Sequence, residues 1–178
     1  MDEFLADHAQ RPDERWELED GVPVMMSGGT RRHARVSLNI AATLHAKLRG
    51  SGCEPFNSDM LVRTGLVSVR APDVAIYCDS RDIAGDPDER TMAFPSVVFE
   101  VLSPSTQRND RVNKLVEYQR LPSVHTIVFV ESAERLIHVF MREGPRDWHN
   151  RTLGEGEALT VVDPAFTLSP DEIFGLAG

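Results

Sequence analysis

The chain has 178 residues, 41% hydrophobic and 26% charged, a composition ordinary for one globular domain with its own core. Its formal net charge of −9 argues against a protein that coats nucleic acid non-specifically, although a local arginine patch or a metal can still build a nucleic-acid site. The apolar runs are too short to span a membrane and the acidic N-terminus is unlike a signal peptide, so we expect no membrane contact.

Two scarce residue types are informative. Cys53 and Cys78 lie in separate segments without metal-type spacing, and we interpret both as buried thiols of a cytoplasmic protein. Lys47 and Lys114 are the only lysines, and every other permanently charged basic residue is an arginine. A lysine retained in such a chain is a candidate for work that needs a compact ammonium group.

The first half of the chain is predicted to begin with helix and hairpin. The predicted elements are a short helix at 2–8, a turn at 11–14, a strand pair within 15–26, a flexible loop at 27–29, a helix at 31–49, strands at 56–62, 66–69 and 71–78, and a surface loop at 79–91. The helix at 31–49 is the clearest, because Val36, Ile40, Leu44 and Leu48 recur every fourth residue.

The second half is organised around residues 94–121. A buried strand at 97–99 is interrupted by Glu100, followed by a turn with helix N-cap chemistry at 103–106 and by a helix that ends near residue 121. Strands are predicted at 125–130, 136–141, 148–153 and 158–161, and a short helix at 169–176. This order predicts an α/β (α+β) fold in which a mixed central β-sheet is flanked by helices, within a single domain spanning 1–178.

Two acids stand at the ends of predicted strands. Asp73 begins one apolar strand and Glu100 interrupts another, and a buried carboxylate is costly unless a cation or donors compensate it. If the strands are neighbours, both carboxylates converge on one hard cation such as Mg²⁺ or Mn²⁺. The alternatives are a turn-capping role for Asp73 after a proline and an arginine partner for Glu100.

Two other polar residues have competing interpretations. Lys114 lies off the apolar stripe of its helix, which the spacing assigns to Val112, Leu115 and Val116, so an exposed lysine is its default interpretation. His33 lies at the start of the helix at 31–49, where it either bonds to the backbone or serves a site.

The basic residues nearest to His33 are three arginines of the same helix. Arg31, Arg32 and Arg35 form either a solvated helix face or a surface for nucleic acid.

Several segments together resemble a known family. They are RWELEDGVPVMMSGGTRRHARV, APDVAIY, FPSVVFEVLSPSTQRNDRVNKLVEYQ, VHTIVFVESAERLIHVF and LTVVDPAFTLSPDEIF. The chain resembles, over nearly its whole length, the bacterial Uma family of restriction-endonuclease-like proteins, a branch of the PD-(D/E)XK phosphodiesterase superfamily. The resemblance implies a restriction-endonuclease-like core and metal-dependent phosphodiesterase chemistry.

The resemblance also assigns roles to individual residues. Asp73 and Glu100 match the metal-binding acids of the superfamily, and we expect Glu17 and the carbonyl of Val101 to assist them in binding Mg²⁺ or Mn²⁺. The superfamily lysine expected two residues after Glu100 is replaced by Leu102 here, and Lys114 on the following helix matches the relocated lysine.

Two weaker matches complete the implied set of catalytic residues. Glu17 matches an acid near the family site, with an exposed hairpin acid as its alternative, and His33 matches the family's helix histidine.

Two functions follow as expectations. The first is an endonuclease that uses Mg²⁺ or Mn²⁺ to hydrolyse DNA phosphodiester bonds, and the second is a catalytically degenerate member of the fold that acts as a binding or regulatory module. A homodimer is expected by analogy with other nucleases and because the strand at 136–141 needs covering.

Overall fold

A computed structural model of the chain describes residues 1–10, 14–26, 29–102 and 108–175. The elements in chain order are α1 (Asp2–Gln10), β1 (Trp16–Glu19), β2 (Val22–Met25), α2 (Arg31–Lys47), β3 (Glu54–Asn57), β4 (Leu61–Arg63), β5 (Val69–Arg70), β6 (Val74–Tyr77), α3 (Ser80–Ile83), β7 (Thr91–Met92), β8 (Pro95–Leu102), α4 (Arg108–Arg120), β9 (Thr126–Glu131), β10 (Leu136–Arg142), β11 (Trp148–Leu153), β12 (Leu159–Val161), β13 (Phe166–Leu168) and α5 (Pro170–Phe174).

The predicted mixed α+β fold with helices flanking mixed sheets is confirmed, but the described strands divide among three sheets. The six-stranded sheet has the order β11-β10-β9-β8-β6-β3, the five-stranded sheet has the order β2-β1-β5-β4-β7, and β12 pairs with β13. Strand β8 runs parallel to β9 and antiparallel to β6, so the larger sheet is mixed at its centre.

Strand β8 is buried on both faces. Val97 and Phe99 pack in one core cluster with the buried stripe of α2, whereas Val98 packs with Tyr118 of α4 and with strand β9 on the other face. A strand covered on both faces has no solvent-facing positions, which explains its nearly unbroken apolar run.

The hairpin and the first long helix form for the local reasons that the sequence indicates. Asp20 and Gly21 both have positive φ, 45° and 83°, as the tight turn between β1 and β2 requires. Helix α2 begins after Thr30, whose hydroxyl accepts a hydrogen bond from the backbone amide of His33.

Two predicted strands are wrong in extent. The predicted strand 56–62 is two strands in different sheets, because the chain turns where the amide of Met60 bonds to the carbonyl of Asn57. The predicted strand 66–69 shortens to β5, and Leu66 is 95% exposed.

Other local features differ in smaller ways. The predicted loop 79–91 contains α3, and strand β13 follows β12 where only one strand is predicted. The terminal helix begins as predicted, with a capping box between Ser169 and Glu172. The predictions that involve residues 11–13, 27–28, 103–107 and 176–178 lie outside the described residues.

The prediction of two buried thiols is wrong. The register that pairs Glu54 with Tyr77 places Cys53 opposite Cys78 on the adjoining strands, and the two are joined by a disulfide. Because stable disulfides are rare in reducing compartments, the cysteines no longer support the prediction of a cytoplasmic location.

Within the described ranges, none of the helices combines the length and apolar character needed to cross a membrane.

Candidate active site

The two acids singled out from the sequence lie together at the end of one β-ladder. Strands β6 and β8 pair Val74 with Phe99, so the next residues in register, Asp73 and Glu100, lie opposite each other. The Val101 amide donates a 2.7 Å hydrogen bond to Asp73 Oδ2, which ties this carboxylate to the neighbouring strand. Both acids therefore lie at the same end of this ladder.

Glu100 is a buried acid with two polar partners on helix α4. The Tyr118 hydroxyl donates a 2.6 Å hydrogen bond to Glu100 Oε1, and Lys114 Nζ lies 3.3 Å from each carboxylate oxygen. Burial raises the pKa of Glu100 to about 7, with Lys114 acting in the opposite direction and Asp73 reinforcing the rise. This carboxyl group can therefore hold or release a proton near neutral pH. Glu100 is paired with Lys114 and not with an arginine, the alternative that the sequence left open.

Lys114 is buried, and the predicted orientation of its helix is wrong. Lys114 is 6% exposed and Tyr118 is fully buried, whereas Val112 and Val116 are 53% and 40% exposed. The helix therefore turns its polar face toward the sheet, because that face carries the partners of the buried acids. This orientation brings the ammonium group of a helix residue to the strand end.

Glu17 is also buried rather than an exposed hairpin acid. One of its oxygens lies 2.9 Å from Lys114 Nζ and accepts a 3.0 Å hydrogen bond from the Ala71 amide, and the other lies 2.9 Å from Arg70. Burial opposes ionisation, but Lys114, the Ala71 amide and Arg70 together lower the pKa of Glu17. Glu17 and Glu100 therefore share one ammonium group.

His33 lies on the other side of Asp73. Its Nε2 atom is 3.2 Å from Asp73 Oδ1, and both side chains are largely buried. The hydrogen bond to Asp73 raises the pKa of His33; burial acts against the rise, and the Asp73 and Glu100 charges and the Val101 backbone act with it. The ring packs so closely on Gly29 that a Cβ there would lie 2.6 Å from Nδ1. Position 29 therefore admits the histidine ring because it has no side chain.

Three residues of the site were missed from the sequence. Tyr118 bonds Glu100, and Arg70 bonds Glu17 and also Glu117 of α4. Lys114, Glu117 and Tyr118 have the i, i+3, i+4 spacing of one helix face, and that signal could have shown that this face is polar.

The oxygen donors suit a hard cation that keeps part of its water shell. In the described ranges, no three His, Cys, Asp or Glu side chains are grouped as a ready metal cage. Asp73 and Glu100 nevertheless supply two carboxylates at one place, and Mg²⁺ is often bound by one or two carboxylates, waters and substrate phosphates. The arrangement can thus combine a cation, an ammonium group and an imidazole around one reacting group.

Comparisons with known proteins identify the family of this chain. The model of the Uma2 family, described as "Putative restriction endonuclease", matches residues 1–170. Uncharacterized protein slr1290 of Synechocystis sp. is 29% identical over 94% of this chain and 88% of its own length, and uncharacterized protein sll1609 of the same organism is 24% identical over 80% and 82%.

A solved structure has the same fold. The crystal structure of "a putative nuclease belonging to DUF820" from Anabaena variabilis superposes with a TM-score of 0.76 at 13% identity, over 91% of this chain and 90% of that one. The family match supports a nuclease, and the match covers almost the whole chain. The chain belongs to the Uma2 family of restriction-endonuclease-like proteins.

Proposed function

We propose that this protein is an endonuclease that hydrolyses DNA phosphodiester bonds with the help of Mg²⁺ or Mn²⁺. The observation that carries the proposal is the convergence of Asp73, Glu100 and Lys114 at the end of the β6–β8 ladder. Two acids and an ammonium group are the charges that phosphoryl transfer needs, since the reaction depends mainly on positioning and electrostatic stabilisation.

Asp73, Glu100 and the carbonyl of Val101 would hold the metal ion. When bound, the ion would polarise a phosphoryl oxygen and make an attacking water more acidic. The buried Glu100, with its pKa raised to about 7, exchanges a proton readily for another positive charge near neutral pH. Tyr118 keeps the Glu100 carboxylate oriented through its 2.6 Å hydrogen bond.

Lys114 and His33 act on the substrate from two sides of the acids. The Lys114 ammonium group, fixed by Glu17 and Glu100, stabilises negative charge that develops on the phosphoryl oxygens. His33, held by Asp73, is placed to move a proton at the edge of the site.

The helix that carries His33 also carries three exposed arginines, in spite of the acidic net charge of the chain. Arg31, Arg32 and Arg35 are exposed on the first turns of α2, next to His33, and the first turn of that helix has no acidic residue. Arginine guanidinium groups bind phosphate oxygens well, so these arginines suit contact with a nucleic-acid backbone.

A plasmid-nicking assay tests the proposal. Purified protein is incubated with supercoiled DNA and Mg²⁺ or Mn²⁺, and Asp73→Asn and Glu100→Gln are compared with the exposed controls Asp59→Asn and Glu157→Gln. We expect nicked or linear DNA with the wild type and both controls, and intact plasmid with both site variants. Intact DNA with the wild type over a range of metals, or equal cleavage by the site variants, would refute the proposal.

One observation favours the alternative of a catalytically degenerate binding module. Both acids already have partners within the protein: Lys114 and Tyr118 contact Glu100, and His33 contacts Asp73. Titration with Mn²⁺ separates the two functions. A degenerate site shows no binding that depends on Asp73 or Glu100, whereas a functional site loses binding in either variant.

A homodimer is also part of the proposal, with a different basis from the one first expected. Strand β10 lies between β9 and β11, so both of its edges are already paired. Strand β2 lies instead at the edge of the five-stranded sheet, with Val22 and Met25 about 60% exposed. An exposed apolar edge strand is a surface that proteins commonly cover. A monomer mass measured by light scattering at micromolar concentration would contradict the proposed homodimer.

A further inference from the structure

Arg70 is the largest fully buried polar side chain in the described residues, and the chemistry proposed above does not use it. It lies on β5, in the middle of the five-stranded sheet, and its side chain is 1% exposed. A buried guanidinium group is costly unless acids satisfy its donors, so its position requires an explanation.

The donors of Arg70 are divided between two parts of the molecule. Its Nε and Nη2 atoms donate to the two carboxylate oxygens of Glu117 on α4, at 2.9 and 2.6 Å. Its Nη1 atom donates to Glu17 at 2.9 Å and to Glu19 at 2.6 Å, both on β1. The paired bonds to Glu117 are the bidentate geometry that arginine makes and lysine does not.

Both halves of this network lead to Lys114. Glu117 is three residues after Lys114, one turn further along the same face of α4, so its attachment to Arg70 determines how that turn sits. Glu17, oriented by Arg70 through one oxygen, contacts Lys114 Nζ through the other at 2.9 Å. The hydroxyl of Thr64, the residue that follows β4, donates a further 2.6 Å hydrogen bond to Glu117.

We propose that Arg70, clamped to Glu117, is a positioning residue that holds α4 so that the ammonium group of Lys114 reaches Glu100. A lysine on strand β8 would be positioned by the strand itself. Lys114 is on a helix, and the paired bonds between Arg70 and Glu117, called the clamp below, hold that helix against the five-stranded sheet. The consequence for catalysis rests on the proposed nuclease function, but the positioning of Lys114 does not.

The two lysines of the chain provide a readout that is independent of activity. Selective ¹³Cε labelling of lysine gives one signal from the buried Lys114 and one from the partly exposed Lys47. Glu117→Gln breaks half of the clamp and leaves the lysine count unchanged. Its matched control is Glu157→Gln, which removes the partner of the exposed Arg151.

We expect the Lys114 signal of folded Glu117→Gln to move toward the position of a solvated lysine or to broaden, while Lys47 stays in place. Glu157→Gln should leave both signals where the wild type has them. A merely structural role would lower the melting temperature and leave the Lys114 signal of the folded protein unchanged.

Arg70→Lys, compared with Arg151→Lys, tests the catalytic consequence. We expect kcat for DNA cleavage to fall at least tenfold in Arg70→Lys with little change in KM. Lysine keeps the positive charge but cannot make the two parallel hydrogen bonds to Glu117. An unchanged Lys114 signal in folded Glu117→Gln would overturn the proposal, whether or not Arg70→Lys folds. If the wild type cleaves no DNA, the nuclease proposal fails and the Lys114 signal still decides the role of Arg70.

Discussion

The ammonium group of Lys114 lies 3.3 Å from the carboxylate of Glu100, although the two residues are fourteen positions apart and lie on different elements. Glu100 is on the strand and Lys114 is on the helix that follows it. The acid and the lysine of the site are therefore assembled by packing of the helix and not by their spacing on one strand. Leu102, two residues after Glu100, is left as an apolar strand residue.

Removing the ammonium group of Lys114 should abolish most of the activity. We expect Lys114→Met to reduce kcat on DNA by about 100-fold, because a preorganised charge at the transferred phosphoryl group is lost. The variant should also lose about 3 kcal/mol of unfolding free energy, because Glu100 stays buried without its cation and Glu17 keeps only Arg70 as a cationic partner. Lys47→Met, which removes only a surface pair with Glu172, is the control and should retain full activity. Equal activity of the two variants would exclude Lys114 from the reaction.

The two tyrosines should differ in how much stability the protein loses when the hydroxyl group is removed. Tyr118→Phe leaves buried Glu100 without a 2.6 Å donor, and we expect a loss of about 1 to 3 kcal/mol in unfolding free energy. Tyr77 is equally buried, but in the part of the chain that the structure describes its hydroxyl has no hydrogen-bond partner. Tyr77→Phe should therefore cost nothing or stabilise the protein slightly. Denaturant titration of both variants checks this, and equal destabilisation would count against the Tyr118–Glu100 bond.

The arginines of α2 should determine how DNA affinity depends on salt. Replacing Arg31, Arg32 and Arg35 with glutamine should reduce the slope of log K against log salt by up to about 3, since each lost phosphate contact removes about one unit. DNA binding measured by fluorescence anisotropy without divalent ions gives the slope.

A triple variant of exposed arginines elsewhere is the matched control for charge. Arg49, Arg120 and Arg146 are exposed and lie outside the first turns of α2. If their replacement changes the slope as much as replacement of the α2 arginines, the α2 surface has no special role.

The disulfide should contribute measurably to stability. Closing the loop between Cys53 and Cys78, 25 residues apart, is expected to stabilise the fold by about 3 kcal/mol. The Cys53→Ser, Cys78→Ser double variant should lose about that amount, and a reductant should then have no further effect on its melting. Thiol titration of the denatured, unreduced wild type should find no free thiol. Two free thiols would restore the prediction of reduced cysteines.

Local chemistry predicted much of this fold. The alternating and every-fourth-residue patterns located the α2 stripe at Val36, Ile40 and Leu44, and the capping residues located the start of α5. Hydrophobic periodicity alone does not show the split of residues 56–62 between two sheets, but the polar run Asn57, Ser58 and Asp59 before Met60 is a turn signal that could have shown it.

The strand part of the candidate site was also easier to predict than the helix part. Asp73 and Glu100 stood out because acids interrupt apolar runs, and the ladder brings them together. The face of α4 was predicted wrongly because an apolar stripe normally faces the core. Here the buried acids attract Lys114 and Tyr118 inward, and Val112 is left exposed. Such an inversion depends on charges in other elements, which a helical wheel does not contain.

The most direct test of the proposed metal site is diffraction from a crystal soaked in Mn²⁺, recorded at a wavelength where manganese scatters anomalously. We predict one strong anomalous peak within coordination distance of the Asp73 and Glu100 carboxylates, with the Lys114 ammonium group still directed to the same place. A crystal that binds Mn²⁺ elsewhere, or shows no peak between these two carboxylates at millimolar Mn²⁺, would contradict the account.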